Sequence, residues 1–286
     1  MPHQITALKQ STTVIDGIVN GSISPGLELF LGRSDSLKYA TAVAIAQQRP
    51  AAQFGSLKIA AMNTLFGIDG QAISATPLDF YTVVRTTGGS FLTTGEKISV
   101  NKGIIVPRTL SVRQGTPAVI TYAVIMGGTA ADAAPFSTLS AQTAPVGMTV
   151  DEAFFLGAVT KGSGDLLEIV GWDIDFGFQI DVQMCDGWQF PACVAWSVQQ
   201  PTIRILSQES TALVAVTVDG DDDTVTLKLL KFLEGGFRAG TGDLTFSTHE
   251  NIMHVESLGG NSGDDAETAI VVVPVFDGTN APITVA

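Results

Sequence analysis

An all-β chain built of two related sandwich or barrel domains is the fold that three observations predict. Short runs rich in Val, Ile and Thr recur along the chain, and such residues suit a pleated, half-buried surface. Gly-rich and Asn-Gly turn signals separate these runs at close spacing, which is the rhythm of sandwiches and barrels. The third observation is an internal repeat. Residues 88–135 read GGSFLTTGEKISVNKGIIVPRTLSVRQGTPAVITYAVIMGGTAADAAP, and residues 235–282 read GGFRAGTGDLTFSTHENIMHVESLGGNSGDDAETAIVVVPVFDGTNAP. Laid together without a gap they sit 147 positions apart, with Gly88-Gly89 on Gly235-Gly236, Thr94-Gly95 on Thr241-Gly242 and Pro135 on Pro282. The shared residues are mostly turn formers, and the apolar runs between them match in place, as in a divergent duplication.

Taken in order, residues 1–25 are rich in Thr, Ser and Gly and read as an N-terminal arm. A first β domain is expected over 26–135, beginning with a strand at 27–31. Residues 37–48 carry both a helical Ala content and a period-two alternation of Tyr39, Thr41, Val43 and Ile45. The strand is preferred, because Gln48-Arg49-Pro50-Ala51 resembles Gln189-Phe190-Pro191-Ala192, which follows an alternating segment. Further strands are expected at 56–61, 79–85, 97–100, 104–112 and 118–126, with a turn at 67–70 and an edge or bulge at Pro107.

The polar stretch 136–150 reads as a linker. The second domain, 151–286, is expected to hold strands at 166–172, 176–184, 192–198, 202–206, 211–218, 224–232, 243–247, 251–256 and 267–275.

Composition narrows function. Apolar residues make up 45% of the 286, enough for two cores, while charged residues make up only 15%, fewer than a typical soluble surface carries. That favours a chain buried against neighbours. Residues 1–143 hold 10 Lys/Arg and 7 Asp/Glu, and residues 144–286 hold 5 and 21, so the halves carry +3 and −16. The second half repels nucleic-acid phosphate, and the opposite signs can orient one half against the other half of a neighbouring copy. The first residues lack a basic-then-apolar signal, so synthesis in the cytoplasm is expected. No apolar run approaches membrane-spanning length. Cys185 and Cys193, on either side of Gly187, are expected as two free buried thiols across a hairpin.

Catalytic chemistry finds little purchase. His3, His249 and His254 have no ligand partners at metal spacing. The run Asp219, Asp221, Asp222 and Asp223 lacks the order of a calcium loop and reads as a solvated hairpin turn. Asp173 and Asp175 share a strand face roughly 7 Å apart, which evokes a glycosidase pair beside Trp172, Phe176 and Phe178. An aromatic core strand with acids facing water is the preferred reading. No phosphate-cradle, nucleophile-elbow or HExxH motif is present. The expectation is a non-enzyme without cofactor or metal.

The segment 88–125, and more faintly 235–274, resembles the C-terminal half of bacteriophage tail tube proteins: a Gly-rich loop, a short strand, "KGIIVPRTLSVRQG", then a long apolar strand. The resemblance implies tail-tube-type domains whose rings stack into a β-lined channel for DNA, with one helix outside the sheet. Tail hub proteins in that family carry two tube-like domains, so that three chains imitate a six-fold ring. The function so implied is a virion structural protein of the tail. Its partners are copies of itself, three or six to a ring, other tail proteins, and DNA as passing cargo. Asp219, Asp221, Asp222, Asp223, Asp264, Asp265 and Glu267 are the candidate lumen or interface acids. The rival expectations are a capsid-decorating or fibre protein, and a carbohydrate-binding or hydrolytic domain around Trp172, Asp173, Asp175 and Trp188.

Overall fold

Alternation of apolar and polar residues sets most of the strands. In β11 (Val119–Met126) every second residue is buried, from Ile120 to Met126, as the two-residue period of a strand requires. The computed structural model describes residues 3–32, 42–84, 94–130, 133–143, 145, 152–208, 223–233, 236–259 and 267–286. Among these, the first part of the chain forms β1 (His3–Gln10), β2 (Thr13–Ile15), β3 (Ile18–Ser24), β4 (Leu27–Gly32), β5 (Ala42–Gln48), β6 (Ala51–Ser56), α1 (Ile59–Phe66), β7 (Gln71–Ile73), β8 (Leu78–Val84), β9 (Thr94–Val100), β10 (Gly103–Arg113), β11 and β12 (Phe136–Thr143). The second part forms β13 (Glu152–Lys161), β14 (Gly164–Leu166), β15 (Ile169–Asp175), β16 (Phe178–Gln183), β17 (Cys193–Gln199), β18 (Thr202–Ser207), β19 (Val225–Leu233), β20 (Leu244–Thr248), β21 (Glu250–Gly259), β22 (Glu267–Val275) and β23 (Ile283–Val285). Among the described residues the chain is all-β apart from α1.

The strands lie in three larger sheets. One has the order β12-β9-β8-β1-β2, and another β14-β13-β19-β20-β23. The long third sheet runs β21-β22-β18-β15-β10-β11-β6-β3, with β7 paired beside β10. The hairpins β4–β5 and β16–β17 stand apart as two-stranded pieces. Each five-stranded sheet packs on one half of the long sheet. In the first half, Phe54 meets Phe80 edge-on at 5.8 Å and Tyr122 in a stack at 5.9 Å. In the second half, Trp172 and Phe246 lie 6.1 Å apart. All five rings are buried in one continuous apolar cluster, and each contributes about 1.5–3 kcal/mol by burial.

Apart from α1 and β7, the described elements of the two halves correspond strand for strand. The order β2-β1-β8-β9-β12 matches β14-β13-β19-β20-β23, and β3-β6-β11-β10 matches β15-β18-β22-β21. The irregularities match as well. A register shift falls between Glu28 and Leu29 in β4 and between Gln179 and Ile180 in β16. Another falls between Pro107 and Thr109 in β10 and between Val255 and Ser257 in β21. Gly26 and Gly177, at φ +57° and +64°, each turn the chain from one sheet into a hairpin, and their carbonyls accept hydrogen bonds from Arg49 N and Gln200 N. Through β6 and β18 the matched residues lie 151 positions apart, as Gly26 and Gly177 do. In the β10–β11 and β21–β22 hairpins, where Gly103 faces Met126 and Asn251 faces Pro274, they lie 148 apart, one more than the gapless spacing of the sequence.

Several expectations are corrected. Residues 3–24 are not an arm: β1 to β3 join two sheets, and Ile5, Leu8, Ile15 and Ile18 are buried. Their Thr/Ser-rich composition conceals alternating apolar positions. The stretch 136–143 is not linker but the edge strand β12, paired with β9. Residues 56–61 are not a strand: β6 stops at Ser56, and α1 starts at Ile59, with Ile59, Met62 and Phe66 on its buried face. The helical spacing of those three residues decides it. The expected strand 166–172 is two strands, because Glu168 takes a left-handed turn at φ +50°. Of the two readings of Pro107, the bulge is the one observed, in a central strand. The counterpart of Gln48-Arg49-Pro50-Ala51 is Gln199-Gln200-Pro201-Thr202, since Gln48 faces Leu27 as Gln199 faces Phe178. The strand expected at 211–218 lies outside the described residues.

Candidate assembly edges

The joint between the halves is made of backbone. β10 and β15 pair antiparallel, with Thr109 opposite Asp175, Leu110 opposite Ile174, Ser111 opposite Asp173 and Val112 opposite Trp172. Leu110, Val112, Trp172 and Ile174 are buried beneath the joint. On the open face Arg113 reaches across to Asp173 with two parallel bonds, Nη1–Oδ1 at 3.0 Å and Nη2–Oδ2 at 2.5 Å. Both side chains are about a third exposed, so the pair contributes at most about 1 kcal/mol. The hydrogen-bonded ladder and the apolar residues below it hold the joint.

The hairpin β16–β17 then closes over the first half. Gly128 N donates to Pro191 O at 2.7 Å, Gln48 N to Gln189 O at 2.8 Å and Gln199 Nε2 to Ile68 O at 3.2 Å. Phe178 is only 6% exposed, and Ile180 and Val194 pack against the core. A groove of about 320 Å³ remains between this hairpin and the open face, lined by alanines, Ile125 and Ile180 together with Ser22, Ser24 and Gln53, with Arg108 as its charged residue.

Head-to-tail joining of like units leaves one unlike edge at each end. β3, the counterpart of β15, ends the long sheet on one side, and β21, the counterpart of β10, ends it on the other. Among the described residues no strand pairs with either outer edge, so each presents a row of backbone donors and acceptors. Two arginines of the open face pair with carboxylates, while Arg108 donates to Phe178 O at 3.5 Å. Arg113 holds Asp173, and Arg204 Nε lies 2.7 Å from Glu256 Oε2.

Of the acidic candidates, Asp219, Asp221, Asp222, Asp264 and Asp265 lie outside the described residues. Asp223 is exposed, 4.0 Å from Lys161 Nζ. Glu267 opens β22, opposite Gly259. Asp173 is taken by Arg113, and Asp175 Oδ1 accepts from Gly177 N at 2.9 Å. Trp172, Phe176 and Phe178 are buried and offer no ring face to a sugar. His249 and His254 join no group of three metal-ligating residues among the described residues. Cys185 and Cys193 are free, as expected, but exposed rather than buried, because the β16–β17 hairpin turns its Cys193 face to solvent.

Two carboxylates are held low by local donors. Asp243 is lowered first by the Lys231 backbone N–H, then by Lys228 and Arg238. Asp277 is lowered to about 2 by the Asn280 backbone N–H, the Asn280 side chain and Thr279 N–H. Both stabilise turns at the ends of strands.

Sequence reasoning did not find the edges or the docked hairpin. The signal was present in the alternation Leu27, Leu29, Leu31 beside Phe178, Ile180, Val182. No protein-family model matches the chain, and no curated protein sequence matches it.

Proposed function

We propose that this chain is a structural protein of a phage-like virion. In this reading two tail-tube-type β units, related by internal duplication, assemble into rings around a channel for DNA. One observation carries the reading: the two units are joined head to tail, so the chain ends in two unlike sheet edges, each the counterpart of a strand already paired at the internal joint. A contact of that kind repeats until it closes a ring or runs on as a filament. The resemblance to tail hub proteins, whose three chains of two units imitate a six-fold ring, makes three chains the expected ring and favours a hub or a tube built on the same plan.

Charge supports the same reading. The second half carries a large acidic excess, and the open-face pairs tie Arg113 and Arg204 to carboxylates. Such a wall gives phosphate little to hold. Function on this account lies in assembly in the virion tail after synthesis in a host cytoplasm, and not in catalysis.

Electron microscopy of the purified protein at rising concentration tests it. Rings of three chains with an open centre are expected. Spontaneous long stacks would select the tube, and isolated rings the hub. Particles of a single chain at every concentration would overturn the reading.

A further inference from the structure

The β4–β5 hairpin is the counterpart of β16–β17, yet its surroundings differ. Leu27, Leu29 and Ile45 occupy the positions of Phe178, Ile180 and Trp196 on the matching face. Phe178 is 6% exposed and Ile180 half-buried where the first half covers them, while Trp196 is still 36% exposed; Leu27, Leu29 and Ile45 are 50%, 53% and 46% exposed, so the contrast is carried by the first two positions. A matching patch opens at the other end of the molecule. Gly127 and Gly128, which receive β16–β17, correspond to Val275 and Phe276, which are 41% and 59% exposed. Apolar surface is thus uncovered on a hairpin and on the counterpart of its seat, at opposite ends of one long sheet.

We infer that β4–β5 of one copy seats on the second half of the next copy, against Val275 and Phe276, while β3 pairs with β21 in the register of β15 with β10. The occupant is a second copy of this chain, and the internal joint is its template. Thr109 opposite Asp175 transposes to Ser257 opposite Ser24, and Ser111 opposite Asp173 to Gly259 opposite Ser22. The seat supplies apolar burial, and the strand pairing supplies register. The charge split supports the order, since it places a +3 half against a −16 half at every joint. The inference rests on the ring reading for closure, but the joint itself requires only two copies.

The test is a disulfide across the joint. Ser24→Cys and Ser257→Cys are introduced with Cys185→Ser and Cys193→Ser, which remove the exposed native thiols. Both serines are exposed, and facing positions of antiparallel strands lie within disulfide reach. Oxidation is expected to give a reducible ladder of two and three chains. Adding Leu29→Glu, at a position more than half exposed, is expected to cut that ladder about tenfold or more while leaving single-chain unfolding unchanged. Rings seen by microscopy without the ladder would overturn the joint and leave the ring reading standing. A ladder untouched by Leu29→Glu would overturn the hairpin seat. A ladder of open chains without rings would keep the joint and overturn the ring reading, and no species above one chain would overturn both.

Discussion

Gly26 and Gly177 allow the same substitution to be made in two settings that differ in one respect. An alanine Cβ at Gly177 would stand 1.8 Å from Gln200 O, and at Gly26 2.0 Å from Arg49 O, where Cβ contacts below 3.0 Å do not occur. Each backbone has positive φ, so alanine costs about 1–2 kcal/mol in conformation alone. The clash is with a backbone carbonyl, so the strand must move by an ångström or more. That breaks the bond from Gln200 N or Arg49 N, about 0.5–1.5 kcal/mol. Up to this point the two variants are equal. Phe178 follows Gly177 and is buried beneath the hairpin, while Leu27 follows Gly26 and is half exposed. Unseating Phe178 adds about 1.5–3 kcal/mol. Gly177→Ala should therefore lose about 3–6.5 kcal/mol, and Gly26→Ala about 1.5–3.5. Urea unfolding at concentrations dilute enough to hold single chains measures both. Equal losses would refute the reasoning, because they would mean that β4–β5 is already as well supported in one chain as β16–β17.

Asp243 bonds the Lys231 N–H at 2.9 Å and lies 3.2 Å from both Lys228 and Arg238. Its lowered pKa adds stability that is complete above the unfolded value of about 3.9 and is lost as pH falls through the folded value. Asp243→Asn should cost about 1–2 kcal/mol at neutral pH and flatten the acid limb of the stability profile followed by circular dichroism. Burial pushes the Tyr122 phenol up, and its hydroxyl donates to Gly67 O at 3.2 Å. Stability is therefore expected to fall as pH rises above about 10, while Tyr122→Phe should remove that loss for about 1 kcal/mol of the hydrogen bond, both read by alkaline unfolding curves. Cys185 and Cys193 are both exposed, so two thiols should react with a chromogenic disulfide reagent without denaturant; fewer than two would contradict the hairpin's orientation.

Legibility in the sequence followed the strength of the two-residue period. β11 was readable because one of its faces is buried and the other is not, and β8 and β10 because their apolar runs are buried on both faces over long stretches. β1 to β3 were missed because small and hydroxyl residues dilute the same alternation. β13 was missed because Phe154, Phe155 and Leu156 run together, and only the register with β19 shows which of them faces the core. The candidate edges were less legible still. A strand edge carries no residue type of its own, since its chemistry is backbone. Pairing between β10 and β15 joins residues 58 to 66 positions apart, and no local pattern announces it.

The correspondence between the halves was only partly visible in the sequence, for a geometric reason. The spacing between matched residues is 151 through β6 and β18, as between Ser56 and Ser207, but 148 through β11 and β22. A gapless comparison at 147 follows neither, and comes within one position only over the glycine-rich part. The rest is kept by backbone constraints, not by side chains: Gly17 and Glu168 both take positive φ and accept bonds from Leu57 N and Gln208 N at matched positions. Side chains at matched positions are free to diverge where their surroundings differ. Phe178 and Leu27 differ in exposure because a single chain covers one and not the other. On the proposed joint that difference closes when copies meet, which explains why an apolar face has been retained on a hairpin that one chain leaves in water.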